Sequence, residues 1–108
     1  MAKARTPTAD RDVVSVEGVL KGYGALHPRA KIDVYRYNSC SIRIRVIDPD
    51  FKGLDRVQRD NLIWTHLEEL PEDARSQVTM IVLLVPGEEK KSLGNLEFSN
   101  PSPPLGII

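Results

Sequence analysis

The segment SIRIRVI (41–47) alternates apolar and other residues without a break and stops at Asp48-Pro49-Asp50. Ile42, Ile44 and Val46 fall on one side, Arg43, Arg45 and Ile47 on the other. A period of two marks a strand with one buried and one wet face. A proline between two acids ends it, because proline cannot donate to a ladder and the acids suit a turn. The preceding segment KIDVYRY (31–37) alternates too, with Ile32 and Val34 against Asp33, Tyr35 and Tyr37. Only Asn38-Ser39-Cys40 separates the two. The pair therefore predicts an antiparallel hairpin, with Cys40 at its tip or at the start of the second strand.

The flanks supply the cover. From Asp12 to Leu26, Val13, Val16, Val19, Leu20 and Tyr23 recur at spacings near three and four, which predicts an amphipathic helix. Asp12 or Ser15 is the expected cap. Gly18, Gly22 and Gly24 weaken this helix by roughly 1 kcal/mol each. Gly18 and Gly22 are expected to let it lie close to the sheet, and the KGYG run (21–24) lacks the spacing of a phosphate loop. His27-Pro28 ends it.

After the hairpin, Phe51 re-enters the core, Gly53 allows a turn, and Asp55 with Gln58 forms a capping box. A second helix is expected from Arg56 to Leu70, burying Val57, Leu62, Ile63, Trp64, Leu67 and Leu70. PEDARSQ (71–77) is a polar break with room for one more helical turn. VTMIVLLV (78–85) suits a strand covered on both faces, or by the tail, better than an exposed edge. The order α-β-β-α-(α)-β predicts an α+β domain: a three-stranded sheet with helices on one face, the second and third strands parallel across the helical crossover.

The chain has 108 residues, enough for one domain. The expected division is a flexible stretch 1–11, the domain 12–90, and an extended C-terminal arm 91–108. That arm carries Leu93, Leu96, Phe98, Leu105, Ile107 and Ile108, which can pack on this domain or on a neighbour. Lys+Arg and Asp+Glu number 15 each, so no global field draws in nucleic acid or an acidic membrane. One cysteine makes no internal disulfide. No apolar run approaches the roughly 20 residues of a membrane span, and the N-terminus lacks an apolar signal core. A cytoplasmic protein is the expectation.

No Ser-His-Asp order and no paired catalytic carboxylates stand out, so no enzyme is read. Asp48 and Asp50 read as turn residues and His66 as a surface histidine. Two candidate sites remain. Cys40 offers a thiolate, a good iron or zinc ligand that nearby Arg43 and Arg45 would favour. Arg43 and Arg45, with Tyr35 and Tyr37 across from them, form a small basic-aromatic face of the kind that binds phosphates and stacks bases. A Gly-x-x-Gly loop of the type used by nucleic-acid-binding KH domains is missing at Gly53-Leu54-Asp55-Arg56.

The stretch SCSIRIRVIDPDFKGLDRVQRDNLIWTHLEELP (39–71) resembles the BolA-like family. The features are the Ser39-Cys40-Ser41 loop, the strand Ile42–Ile47, Phe51-Lys52-Gly53, Gln58-Arg59, and Glu68-Glu69-Leu70-Pro71. The resemblance extends over about residues 13–90. It implies a class II KH-like fold and a non-enzymatic adaptor, with a monothiol glutaredoxin as partner. It also implies a 2Fe–2S cluster shared through Cys40, stress-linked regulation, and a partner surface that includes Gln58 and Arg59. In that family a histidine at the start of the last strand is the second cluster ligand. Here Thr79 stands in its place, or Gln77 if the register shifts, and Gln58-Arg59-Asp60 replaces the usual Arg-His. The alternatives are nucleic-acid binding through the basic-aromatic face and a homodimer built through the apolar tail.

Overall fold

A computed structural model describes residues 10–101. Helix α1 (Arg11–Leu26) leads into strands β1 (Lys31–Asn38) and β2 (Ser41–Ile47). A 3-10 turn at Pro49–Phe51 precedes helix α2 (Arg56–Leu67) and the short helix α3 (Glu72–Arg75). Strand β3 (Val78–Leu84), a second 3-10 turn (Glu88–Lys91) and helix α4 (Leu93–Ser99) follow. The sheet order is β1-β2-β3, antiparallel between β1 and β2 and parallel between β2 and β3. This is the expected α+β architecture, with α2 and α3 forming the crossover. None of the described helices is long and apolar enough to cross a membrane.

The alternation in β2 places its residues as expected. Ile42, Ile44 and Val46 are fully buried under α1 and α2, against Val16, Leu20, Tyr23, Ile63 and Leu67. Phe51 closes this core from the loop after β2. Full burial of each such side chain contributes about 1.5–3 kcal/mol. Tyr35 lies opposite Arg43 and Asp33 opposite Arg45. Gly53 takes a positive φ of 83°, a conformation open to glycine, and turns the chain toward α2. Asp55 and Gln58 close the expected capping box, each side chain accepting from the other's backbone N–H.

Several expectations need correction. The cap of α1 is Asp10, whose Oδ1 accepts from the Val13 N–H, and neither Asp12 nor Ser15. The helix therefore begins at Arg11, inside the stretch 1–11 expected to be flexible; residues 1–9 lie outside the described part. Helix α2 ends at Leu67, and Val57 is exposed on its outer face. Among the described residues nothing lies within 4 Å of where a Cβ on Gly18 would stand, so it does not serve close packing with them. Gly22 faces His66 on α2, and Gly24 is the glycine that meets the sheet, at Ile32.

The largest difference is the tail. Residues 93–99, expected within an extended arm, form a helix on the sheet face opposite α1 and α2. Ser92 caps it by accepting from the Asn95 N–H. Phe98 is buried against Ile47, Val82 and Leu84, with Tyr35 and Met80 alongside. Those residues are the outward half of β2 and β3, and burying them is what holds α4. The strand β3 is thus a sheet edge by position yet covered on both faces. Leu105, Ile107 and Ile108 lie outside the described residues.

Candidate functional site at the β1–β2 turn

Ser39 and Cys40 form the turn that joins β1 to β2, and Cys40 is exposed. The Asn38 side chain accepts from the Cys40 N–H at 2.9 Å. Arg36 holds the turn from the helix side, donating to the carbonyls of Asn38 (2.9 Å) and Ser39 (3.2 Å). The same guanidinium forks onto Asp10 at 2.6 and 3.0 Å and reaches the Gln77 amide oxygen at 2.9 Å. Its hydrogen bond to Asp10 holds that carboxyl below the usual range. The turn is therefore pinned to the start of α1 and to the segment before β3, while its thiol faces outward.

Gln77, one of two positions where the resemblance places a second cluster ligand, does lie beside this turn. Its backbone carbonyl accepts from Ile42 N–H at 2.6 Å. Its side-chain amide is committed elsewhere: the oxygen to Arg36, the nitrogen to Asp12 at 2.7 Å and to the Asp73 carbonyl at 3.0 Å. Thr79 is exposed on β3. An amide so engaged is not a thiolate or imidazole donor, so among the described residues the soft ligand at this end of the sheet is the exposed Cys40 sulfur.

Arg43, Arg45, Tyr35 and Tyr37 lie together on the sheet face that α4 covers. The Arg43 guanidinium lies 3.6 Å from the Tyr37 ring centre. It also donates to the Tyr35 hydroxyl at 3.3 Å and to the Glu97 carboxylate at 3.2 Å. The Tyr35 hydroxyl in turn donates to the Phe98 carbonyl at 2.8 Å. Arg45 donates to Asp33 at 2.8 Å, Asn95 at 2.8 Å and Ser99 at 3.1 Å, and sits over the Phe98 ring. The two arginine side chains retain 12% and 21% of their exposure. They clamp α4 to the sheet, and the tail supplies their acceptors.

Gln58 and Arg59 are also engaged within the domain. Gln58 belongs to the capping box. Arg59 donates to the carbonyls of Leu54 (3.0 Å) and Leu83 (3.1 Å) and pairs with Glu88 at 2.9 Å. It thereby ties α2 to the outer edge of β3. Its hydrogen bond holds the Glu88 carboxyl below the usual range. Trp64 packs against the core as expected.

A second cluster went unread in the sequence. Asp48 is fully buried, and the Tyr23 hydroxyl donates to it at 2.5 Å. Burial first, and then this carboxylate, push the tyrosine pKa well up. His27 stacks on the Tyr23 ring at 4.1 Å and lies 2.8 Å from Asp50. His66, expected at the surface, is half-buried and meets Tyr23 edge-on at 5.8 Å. The clue available in the sequence was an Asp-Pro-Asp turn together with a His-Pro helix end; their meeting depends on the fold.

Compared with family models, with curated proteins and with solved structures, the chain has no match.

Proposed function

We propose that this domain is a non-enzymatic BolA-like adaptor that docks a partner protein at the β1–β2 turn, in the reducing cytoplasm. A monothiol glutaredoxin is the partner class implied by the resemblance. One observation carries the reading: Cys40 is exposed on a turn held by its own hydrogen bonds and by Arg36, while the neighbouring cationic side chains are spent inside the molecule. A rigid turn presents its thiol without the ordering loss a mobile loop would bear. Clamped arginines leave little for a nucleic acid, so the adaptor reading is favoured over that alternative. With Gln77 committed, cluster ligation from this chain rests on one sulfur, and the remaining ligands come from the partner side.

The test is co-reconstitution with a monothiol glutaredoxin, iron and sulfide under reducing conditions, followed by size exclusion. A complex that co-elutes, and that Cys40→Ser weakens, supports the adaptor; a cluster chromophore lost in the same variant adds shared ligation. A colourless mixture that elutes as two separate proteins overturns the reading.

A further inference from the structure

We infer that His27, Asp48 and Asp50 form a three-donor site for a divalent transition-metal ion, zinc in the first instance. The three residues come from two loops, the end of α1 and the turn after β2. One donor atom of each lies within 4.8 Å of the others. His27 Nδ1 lies 2.8 Å from Asp50 Oδ2 and 3.5 Å from Asp48 Oδ2. Bond lengths of about 2.0 Å separate the donors of a tetrahedral zinc by roughly 3.3 Å, and these two distances straddle that spacing.

The orientation of the carboxylates argues for convergence beyond mere proximity. Each has one oxygen anchored. Asp48 Oδ1 accepts from the Asp50 N–H at 2.9 Å, and Asp50 Oδ1 accepts from Arg29 at 3.0 Å. The other oxygen of each points to the same imidazole nitrogen. The Tyr23 hydroxyl takes one lone pair of Asp48 Oδ2 and leaves the second open, as outer-shell donors do for ligating carboxylates. Stacking on Tyr23 fixes the plane of the His27 ring. Asp48 is a buried carboxylate with an imidazole beside it, and a buried charge calls for a counter-charge. Arg29 on the outer oxygen reduces the net negative charge, so moderate affinity is expected. His27 and Asp50 remain partly exposed, which gives an ion its entry path. Three protein donors leave a fourth position for water or a partner's ligand.

The competing occupant is a proton on the ring nitrogen: an Nδ1–H of His27 would donate to Asp50 Oδ2. The experiment separates the two. Zinc is titrated calorimetrically at pH 7.5 into Cys40→Ser protein, which removes the thiol as a rival ligand. Asp50→Asn and His27→Gln are measured in the same background. A one-to-one site is expected, weakened tenfold or more in both variants, since even outer-shell changes lower metal affinity about 10–100-fold. If a variant fails to fold, imidazole 1H–15N correlation spectra of the Cys40→Ser protein decide. Zinc should shift the His27 Nδ1 resonance and leave His66 in place. No heat of binding, affinity unchanged in both variants, or a zinc shift at His66 instead would overturn the site and leave the proton as its occupant. None of these results depends on a glutaredoxin, so failure here leaves the adaptor reading intact.

Discussion

Replacing Phe98 with alanine tests whether α4 is part of the folded unit. The ring is 5% exposed and fills the space above Ile47, Val82 and Leu84. It also meets Tyr35 edge-on at 4.8 Å and lies 4.7 Å beneath the Arg45 guanidinium. Truncating a buried phenylalanine costs about 3–5 kcal/mol, less where the site can collapse. A seven-residue helix at the chain's edge can shift to fill part of the gap, so the low end, about 3 kcal/mol, is expected. The loss cannot exceed the docking free energy of α4, because beyond that point the helix detaches. Urea unfolding, followed by far-UV circular dichroism and by the single tryptophan, Trp64, measures it. Trp64 sits on the opposite side of the sheet, so a shared midpoint for both probes would show that the tail and the main core unfold together. A loss below about 1 kcal/mol would refute the claim that α4 holds the outer face of the sheet by burying this ring.

Gly18→Ala should stabilise the protein by up to about 1 kcal/mol, since among the described residues nothing lies within 4 Å of the added Cβ and alanine is the better helix former; Gly22→Ala, which brings a Cβ to 3.4 Å from His66, should gain less, and thermal unfolding of both reads the difference. Tyr23→Phe removes a hydrogen bond to a buried carboxylate and should cost about 1.5–3 kcal/mol in urea unfolding; a loss under about 0.5 kcal/mol would mean Asp48 does not draw on the phenol. Asp10 has a depressed folded-state pKa, chiefly from its hydrogen bond to Arg36. Below the ordinary aspartate value of about 3.9 the unfolded chain therefore binds the extra proton first. The stability from this pair is present above that pH and is lost as the pH falls through the folded value, so Asp10→Asn should flatten the acid limb of a stability–pH curve.

The turn, the hairpin and the main core were legible because they depend on local pattern. SIRIRVI assigns its own faces by period two, and Asp55 with Gln58 closes a capping box within one turn of helix. The length of the link put Cys40 at the hairpin tip or at the start of β2, and the structure places it in the turn. The roles of Arg43 and Arg45 were not legible. Their face was correct, yet their partners Glu97, Asn95 and Ser99 lie about fifty residues away. A proline-bearing tail with scattered apolar residues gives too little period to announce a helix.

The polar cluster at the end of α1 makes the same point more sharply. The sequence by itself determined that His27-Pro28 ends a helix and that Asp48-Pro49-Asp50 ends a strand, since proline limits backbone geometry wherever it stands. Only the tertiary structure decided that these two chain ends meet, burying Asp48 beneath Tyr23 and turning both carboxylates toward one imidazole. Backbone preferences act over a few neighbouring residues, whereas the company a charge keeps is set by how α1 packs across the sheet.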